Sequence, residues 1–408
     1  MLELGLRFPD PATVVVSLNE DGDIQEVASQ PFAGPLDVTA QQDLHWYLEV
    51  YPVHYMTEVD DDRAKRLAAQ LPTWGAALFN AVFAGRDAER LVNRFQDRAE
   101  PGRLITVSAA HPSVLAQPWE LLKDPRGTYL FLEDPRISVR RRLGSAGAGR
   151  KPYQPQAKDR LHLLFVVSRP SDASFIDPRA DPGAVMDSLD KRAAGRVTVE
   201  FLRPATLRAL VKRLEDEGMP PVDILHFDGH GAYDAEGRMA EAAKQAMLSA
   251  GYAHLLRDAG DTVTAQQGLL AFEKEDGKSD YVPADLLGEM LNRKQIGLVV
   301  LSACQSAMVG GEDAMGSVAA RLSDAGLPAV LAMTHSVLVQ TTRALFDEFY
   351  DQLAAGRPVG TSLDNGRRSL YMRPERGKRR RGDRLITLEL QDWFLPALYQ
   401  AGRDTTLL

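Results

Sequence analysis

The sequence predicts an α/β protein: a parallel-rich sheet sandwiched by helices, preceded by an N-terminal mixed α/β domain. Three observations predict it. From residue 159 onward, short apolar runs alternate with helical segments, the pattern of strand–helix–strand crossovers. Several of those runs are apolar throughout, LHLLFVVS (161–168) above all, as strands covered on both faces must be. Before them lies LGSAGAGRKPYQPQAK (143–158), rich in Gly, Ala and Pro and without periodicity, which reads as a linker. A chain of 408 residues suits two or three domains. The division is therefore an N-terminal domain over 1–142, a linker over 143–158 and a second domain over 159–408.

In the first domain VVVSL (14–18) reads as a strand. Residues 61–97 have helical spacing, with Leu67, Leu71, Trp74, Ala77, Leu78, Ala81, Leu91 and Phe95 recurring at three and four. LITVSA (104–109) reads as a strand, and YLFLED (129–134) and ISVRR (137–141) as two strands meeting at Pro135. In the second, strands are expected at 161–168, 197–202, 222–227, 296–303 and 329–334. Helices are expected near 182–193, 205–218, 313–326, 337–356 and 359–371, and a β-like segment at 269–273. Residues 235–266 read as a helix-rich insertion. RPERGKRRRGDR (373–384) reads as a solvated basic loop.

Composition bounds the function. The chain is 44% apolar and 25% charged, so it can bury real cores and is not disordered as a whole. Its net charge of −8 argues against a general nucleic-acid or anionic-membrane binder. No apolar run approaches the roughly 18 residues that span a bilayer, and MLELGLRFPDPATVVV lacks the basic start and long apolar core of a signal peptide. The single cysteine, Cys304, rules out intrachain disulfides and multi-cysteine zinc sites and suits a reducing cytosol.

Open parallel sheets gather reactive groups at the carboxyl ends of their strands. Two expected strand ends carry them here: one runs into DGHG (228–231), the other into CQSA (304–307). This places His230 on the loop past one strand and Cys304 past another. A free thiol, with a pKa of about 8.5, is only slightly ionised at neutral pH. An adjacent imidazole can take its proton and later protonate a leaving amine. The N–H groups of Gly231 and Cys304 would make an oxyanion hole. The plainer readings stand beside these: a cysteine ending an apolar strand is usually a small buried hydrophobe, and a histidine between glycines is often a turn residue. His226 lies inside its strand and reads as a core or supporting histidine. Four residues along a strand span roughly 13 Å, too far for His226 and His230 to share one zinc. His45, His54, His111, His162 and His254 have no constellation around them, and His335 follows the last expected strand. There is no GxxxxGK[ST], no GxGxxG after a strand and no GxSxG.

HFDGHG (226–231) followed by VVLSACQSA (299–307) resembles the paired signature of CHAT-domain proteins, caspase-like cysteine peptidases related to separase and gingipains. The resemblance extends to PWELLKDPRGTYLFLEDPRISVRR (118–141), LLFVVSRPSDASFIDPRA (163–180), VEFLRPATLRAL (199–210), LSDAGLPAVLAM (322–333) and FYDQLAAGRPVGTSLDNGRRSL (349–370). It implies a caspase-like fold, His230 as base, Cys304 as nucleophile, and the Gly231 and Cys304 amides as oxyanion donors. It implies no cofactor. Members often choose P1 through one group near the catalytic strands. Asp228, Glu312 and Asp313 are the nearest acids in sequence and would favour Arg or Lys there. Asp228 also reads as a turn former, and Glu312 and Asp313 as helix N-terminal charges. RGKRRRG would then be a candidate self-cleavage site. The function implied is a cytoplasmic endopeptidase acting on a protein substrate in defence or cell death, with no membrane or direct nucleic-acid partner. A regulatory ATPase or repeat domain or subunit beyond residue 408 would gate it. Two alternatives stay open: a catalytically silent caspase-like scaffold for protein interaction, and a non-peptidase thiol hydrolase.

Overall fold

The computed structural model describes all residues except 1, 21–22, 28, 55–56, 134–135, 145–152, 157, 193–194, 235–237, 240–242, 245–247, 249–266, 303–313 and 401. Two compact units emerge: Met1–Gly144 with Val337–Phe349 and Gly360–Ala397, and Ser145–Ser336 with Tyr350–Val359 and Leu398–Leu408. The chain therefore returns to the first unit after leaving it, so these units are not two consecutive stretches of sequence.

The first unit is built on β1 (Leu2–Asp10), β2 (Thr13–Glu20), β3 (Asp23–Glu26), β4 (Gln30–Pro31), β5 (Arg103–Ala109) and β6 (Ile137–Leu143). Their order is β3-β2-β1-β5-β6, with β4 on β2. β1 pairs antiparallel with β2 and parallel with β5, and β5 parallel with β6. In β1 the residues Leu2, Leu4, Leu6 and Phe8 alternate into the core, the period-two signature of a strand with one wet face. The helix Glu58–Phe83 starts at a capping box in which Thr57 and Asp60 bond each other's backbone. It buries Leu67, Leu71, Trp74, Leu78 and Val82 along one stripe.

The segments 118–141 and 349–370 contribute to a buried ion network in this unit. Glu120 accepts from Arg141 at 2.8 and 2.9 Å and from Arg367 at 3.3 Å. Asp364 accepts from Arg367 at 2.7 Å and from Ser138. Two expectations fail here. YLFLED is no strand: Leu130–Leu132 form a 3-10 turn, because Phe131 stacks on Trp393 at 4.3 Å and aromatic packing outweighs ladder pairing. The basic run is no loop: Glu375–Arg381 and Arg384–Glu389 form an antiparallel hairpin. Its arginines have partners that only the fold supplies. Arg376 is buried against Asp392 at 2.6 Å, Arg379 donates to the Tyr51 carbonyl at 3.1 Å and Arg381 to Asp61 at 2.5 Å.

The second unit bears out the expected parallel sheet. β7 (Leu161–Val167), β8 (Val197–Leu202), β9 (Ile224–Asp228), β13 (Leu298–Leu301) and β14 (Val330–Met333) run in the order β14-β13-β9-β7-β8, every neighbouring pair parallel. β7, β9, β13 and β14 are buried along their whole length. A separate antiparallel sheet holds β10 (His230–Asp234), β11 (Gln267–Glu273) and β12 (Ser279–Pro283). Gly268 on β11 admits the helix Ala314–Asp324: a Cβ there would lie 2.6 Å from the Val318 backbone nitrogen. From the segment expected as a linker, Tyr153 lies against Gly297 and Lys158 bonds Asp223. Most of the insertion expected at 235–266 lies outside the described residues. His162 does have neighbours, Glu200 at 2.8 Å and Arg213 at 3.3 Å, because parallel pairing of β7 with β8 joins residues distant in sequence.

Candidate active site

β7 leads through the helix Ala180–Arg192 to β8 on one side. β9, the other neighbour of β7, leads on toward β13 and β14 on the opposite side. This reversal is a topological switch point, the place where open α/β sheets most often bind their ligands. The sequence sets its titratable groups here. Asp228 ends β9, Gly229 interrupts the strand, and His230 opens β10. His230 thus belongs to a strand rather than to the expected loop, and pairs in register with Ala271. Only glycine fits at 229: a Cβ would stand 2.8 Å from the Phe227 ring and 3.1 Å from the Ser168 Cβ.

The His230 Nε2 lies 2.8 Å from the Ser174 carbonyl oxygen. A carbonyl can only accept, so Nε2 carries the proton and donates. Burial holds the imidazole below its ordinary pKa; the Ser174 contact pulls upward and the nearby Arg169 charge downward. The ring is therefore neutral at pH 7, and Nδ1 is its basic nitrogen.

Asp228 is buried, with its Oδ2 2.6 Å from an Arg169 Nη2. Burial pushes its carboxyl upward and the guanidinium pulls it back, with a net upward shift. The carboxylate thus faces Arg169. Gly231 is buried in β10, in register with Leu270. β13 lies beside β9, and the Ser302 N–H donates to the Phe227 carbonyl at 3.1 Å. Cys304, Glu312 and Asp313 lie outside the described residues.

His226 sits in β9, fully buried. Its ring stacks on Phe165 at 4.2 Å, with Nδ1 2.8 Å from the Tyr350 hydroxyl and Nε2 2.8 Å from Ser302 Oγ. Burial drives its pKa down to about 3, so it is a neutral bridge between hydroxyls. No group of three metal-ligating side chains occurs among the described residues. Sequence reasoning missed Ser174 and Arg169. Ser174 acts through its backbone, which no residue type announces. Arg169 stood in the quoted run SRPSD but without any sign of what it holds.

These features define an α/β protein with an open parallel sheet and a tautomer-fixed histidine at its switch point. The CHAT domain family model matches residues 73–399, and the chain belongs to that family, as HFDGHG and VVLSACQSA suggested. No curated protein matches the sequence. Among solved structures, the Saccharomyces cerevisiae separase–securin complex at 2.6 angstrom resolution is similar with a TM-score of 0.45 and 11% identity, covering 98% of this chain and 30% of that one. The complex of the Porphyromonas gingivalis RgpB pro- and mature domains is similar with a TM-score of 0.40 and 8% identity, covering 85% and 78%. This chain therefore spans less than a third of the separase chain. No helix among the described residues is long and apolar enough to cross a membrane.

Proposed function

We propose that this protein is a cysteine endopeptidase that cleaves a protein partner, with His230 as base and Cys304 as nucleophile. The observation that supports it is the His230 tautomer: with Nε2–H held by Ser174, Nδ1 is the nitrogen that can take a thiol proton. Cys304 follows Ser302, the residue that extends the β13 ladder onto β9, by two positions. In the proposed reaction Nδ1 removes the thiol proton, and the thiolate attacks the scissile carbonyl. The Gly231 and Cys304 amides stabilise the oxyanion, and His230 then returns the proton to the leaving amine. Water hydrolyses the thioester by the same route. With Asp228 bonded to Arg169, Glu312 and Asp313 are the acids this proposal puts at the P1 pocket, with Arg or Lys at P1. The protease acts in the cytosol, gated by a regulatory domain or partner, in defence or cell death.

The test is hydrolysis of fluorogenic peptides with basic, acidic and apolar P1 by wild type, Cys304→Ala and His230→Gln. Cys304→Ala should be inactive. His230→Gln should lose about 10²–10⁴-fold in kcat. Equal turnover by wild type and Cys304→Ala would end the proposal.

A further inference from the structure

The loop after β7, residues 168–177, forms an arch against the end of β9, and Arg169 lies inside it. Its guanidinium reaches both sides. On the arch, Nε donates to the Ile176 carbonyl at 3.0 Å, Nη2 to the Asp177 carbonyl at 3.3 Å and Nη1 to the Ser168 carbonyl at 2.9 Å. At the end of β9, Nη1 donates to the Asp228 carbonyl at 2.7 Å and Nη2 to the Asp228 carboxylate at 2.6 Å. The backbone N–H of Arg169 donates to Glu273 at 2.8 Å. Asp172 ties the arch to β12 through the Ser279 amide and hydroxyl, at 2.8 and 2.7 Å. Ser171 N–H ties it to the Gly277 carbonyl at 2.8 Å.

The residue between these anchors is Ser174, whose carbonyl holds the His230 Nε2 proton. Arg169 thus grips the chain two and three residues after Ser174 and, with the same planar group, the chain two residues before His230. The planar fork is what this needs: the contacts are spread over three separate nitrogens, whereas an ammonium has a single nitrogen with three donors and cannot reach them all.

We propose that Arg169 is a positioning residue for the His230 base: by clamping residues 174–177 to the end of β9 it sets the carbonyl that fixes the His230 tautomer. This rests on the peptidase reading for its catalytic consequence, but its structural content does not need it. The charged groups around the clamp are Arg169, Asp177, Asp228, Arg203 and Glu273. Of these, Arg169 is the cation that opposes protonation of His230.

The experiment compares wild type with Arg169→Lys, Arg169→Met and Asp228→Asn, each checked for folding by circular dichroism. The first readout is the nitrogen NMR signature of His230, assigned by its loss in His230→Gln, which reports the tautomer whether or not any peptide is cleaved. The second is kcat, KM and the pH profile on the best fluorogenic peptide. In Arg169→Lys the Nε2–H tautomer should give way to a mixture, and kcat should fall ten- to hundredfold with KM within about twofold. The acidic limb should stay in place, because the charge is kept. In Arg169→Met the tautomer should mix as well, and the His230 titration and the acidic limb should move to higher pH, because the opposing charge is gone. Asp228→Asn keeps the carbonyl contacts, so it should retain the tautomer and move the limb the opposite way. A wild-type tautomer in folded Arg169→Lys would overturn the proposal. If both Arg169 variants fail to fold, a mixed tautomer in folded Asp228→Asn, which keeps the Arg169 carbonyl contacts, would overturn it. Loss of tautomer control in a protein that cleaves no peptide would leave the clamp standing and the peptidase reading refuted.

Discussion

Two arginine–carboxylate centres, one in each unit, use the same chemistry to different ends. In the first unit Glu120 and Asp364 bind Arg141 and Arg367 in a buried network that joins three distant stretches of sequence. In the second, Asp228 binds Arg169, but that arginine also holds four backbone carbonyls and sits beside an imidazole. A buried ion pair by itself marks architecture. It bears on function where its geometry fixes a group whose protonation can change.

The widest test of this difference is Glu120→Ala. It takes from buried Arg141 its carboxylate partner, while Arg367 keeps Asp364, and should lower the unfolding free energy by roughly 3–5 kcal/mol, read from urea denaturation. The pH profile of peptide hydrolysis, taken where the variant is folded, should not move. A moved profile would erase the distinction between the two centres.

A second test separates the two histidines of HFDGHG. His226 has a folded pKa of about 3, below the value near 6.5 of an unfolded histidine. The unfolded state therefore binds the extra proton, and stability is intact above about 6.5 and lost as pH falls toward 3. Between pH 7 and 5 wild type should lose about 2 kcal/mol more than His226→Gln. Matching losses would mean that His226 is not held neutral by burial.

The smallest effect is expected at Phe175, which is 88% exposed directly after Ser174. On the proposed peptidase reading, Phe175→Ala should leave folding and kcat in place and raise KM severalfold, about 1 kcal/mol, the size expected for one exposed ring packing on a peptide. A change in kcat instead would place Phe175 with Arg169 as part of the clamp.

Much of the second unit was legible in the sequence. LHLLFVVS, VDILHF and AVLAMT announce buried parallel strands, since a ladder covered on both faces admits almost no polar side chains. HFDGHG was legible because the break at Gly229 and the flanking residue types lie in one short run. The hairpin 375–389 was not, because a run of arginines reads as solvated until Asp61, Asp392 and the Tyr51 carbonyl are brought to it. YLFLED was misread because Trp393, far along the chain, claims Phe131.

What the sequence by itself determined is the strand–helix alternation and the residue types at the strand ends, because periodicity and chain connectivity are local. Only the tertiary structure decided that Arg169 joins residues 176–177 to the end of β9 and that the Ser174 carbonyl holds His230. The reason is physical: the latter bond joins a backbone oxygen to a ring 56 residues away, and every residue carries the same carbonyl, so its partner is chosen by packing alone.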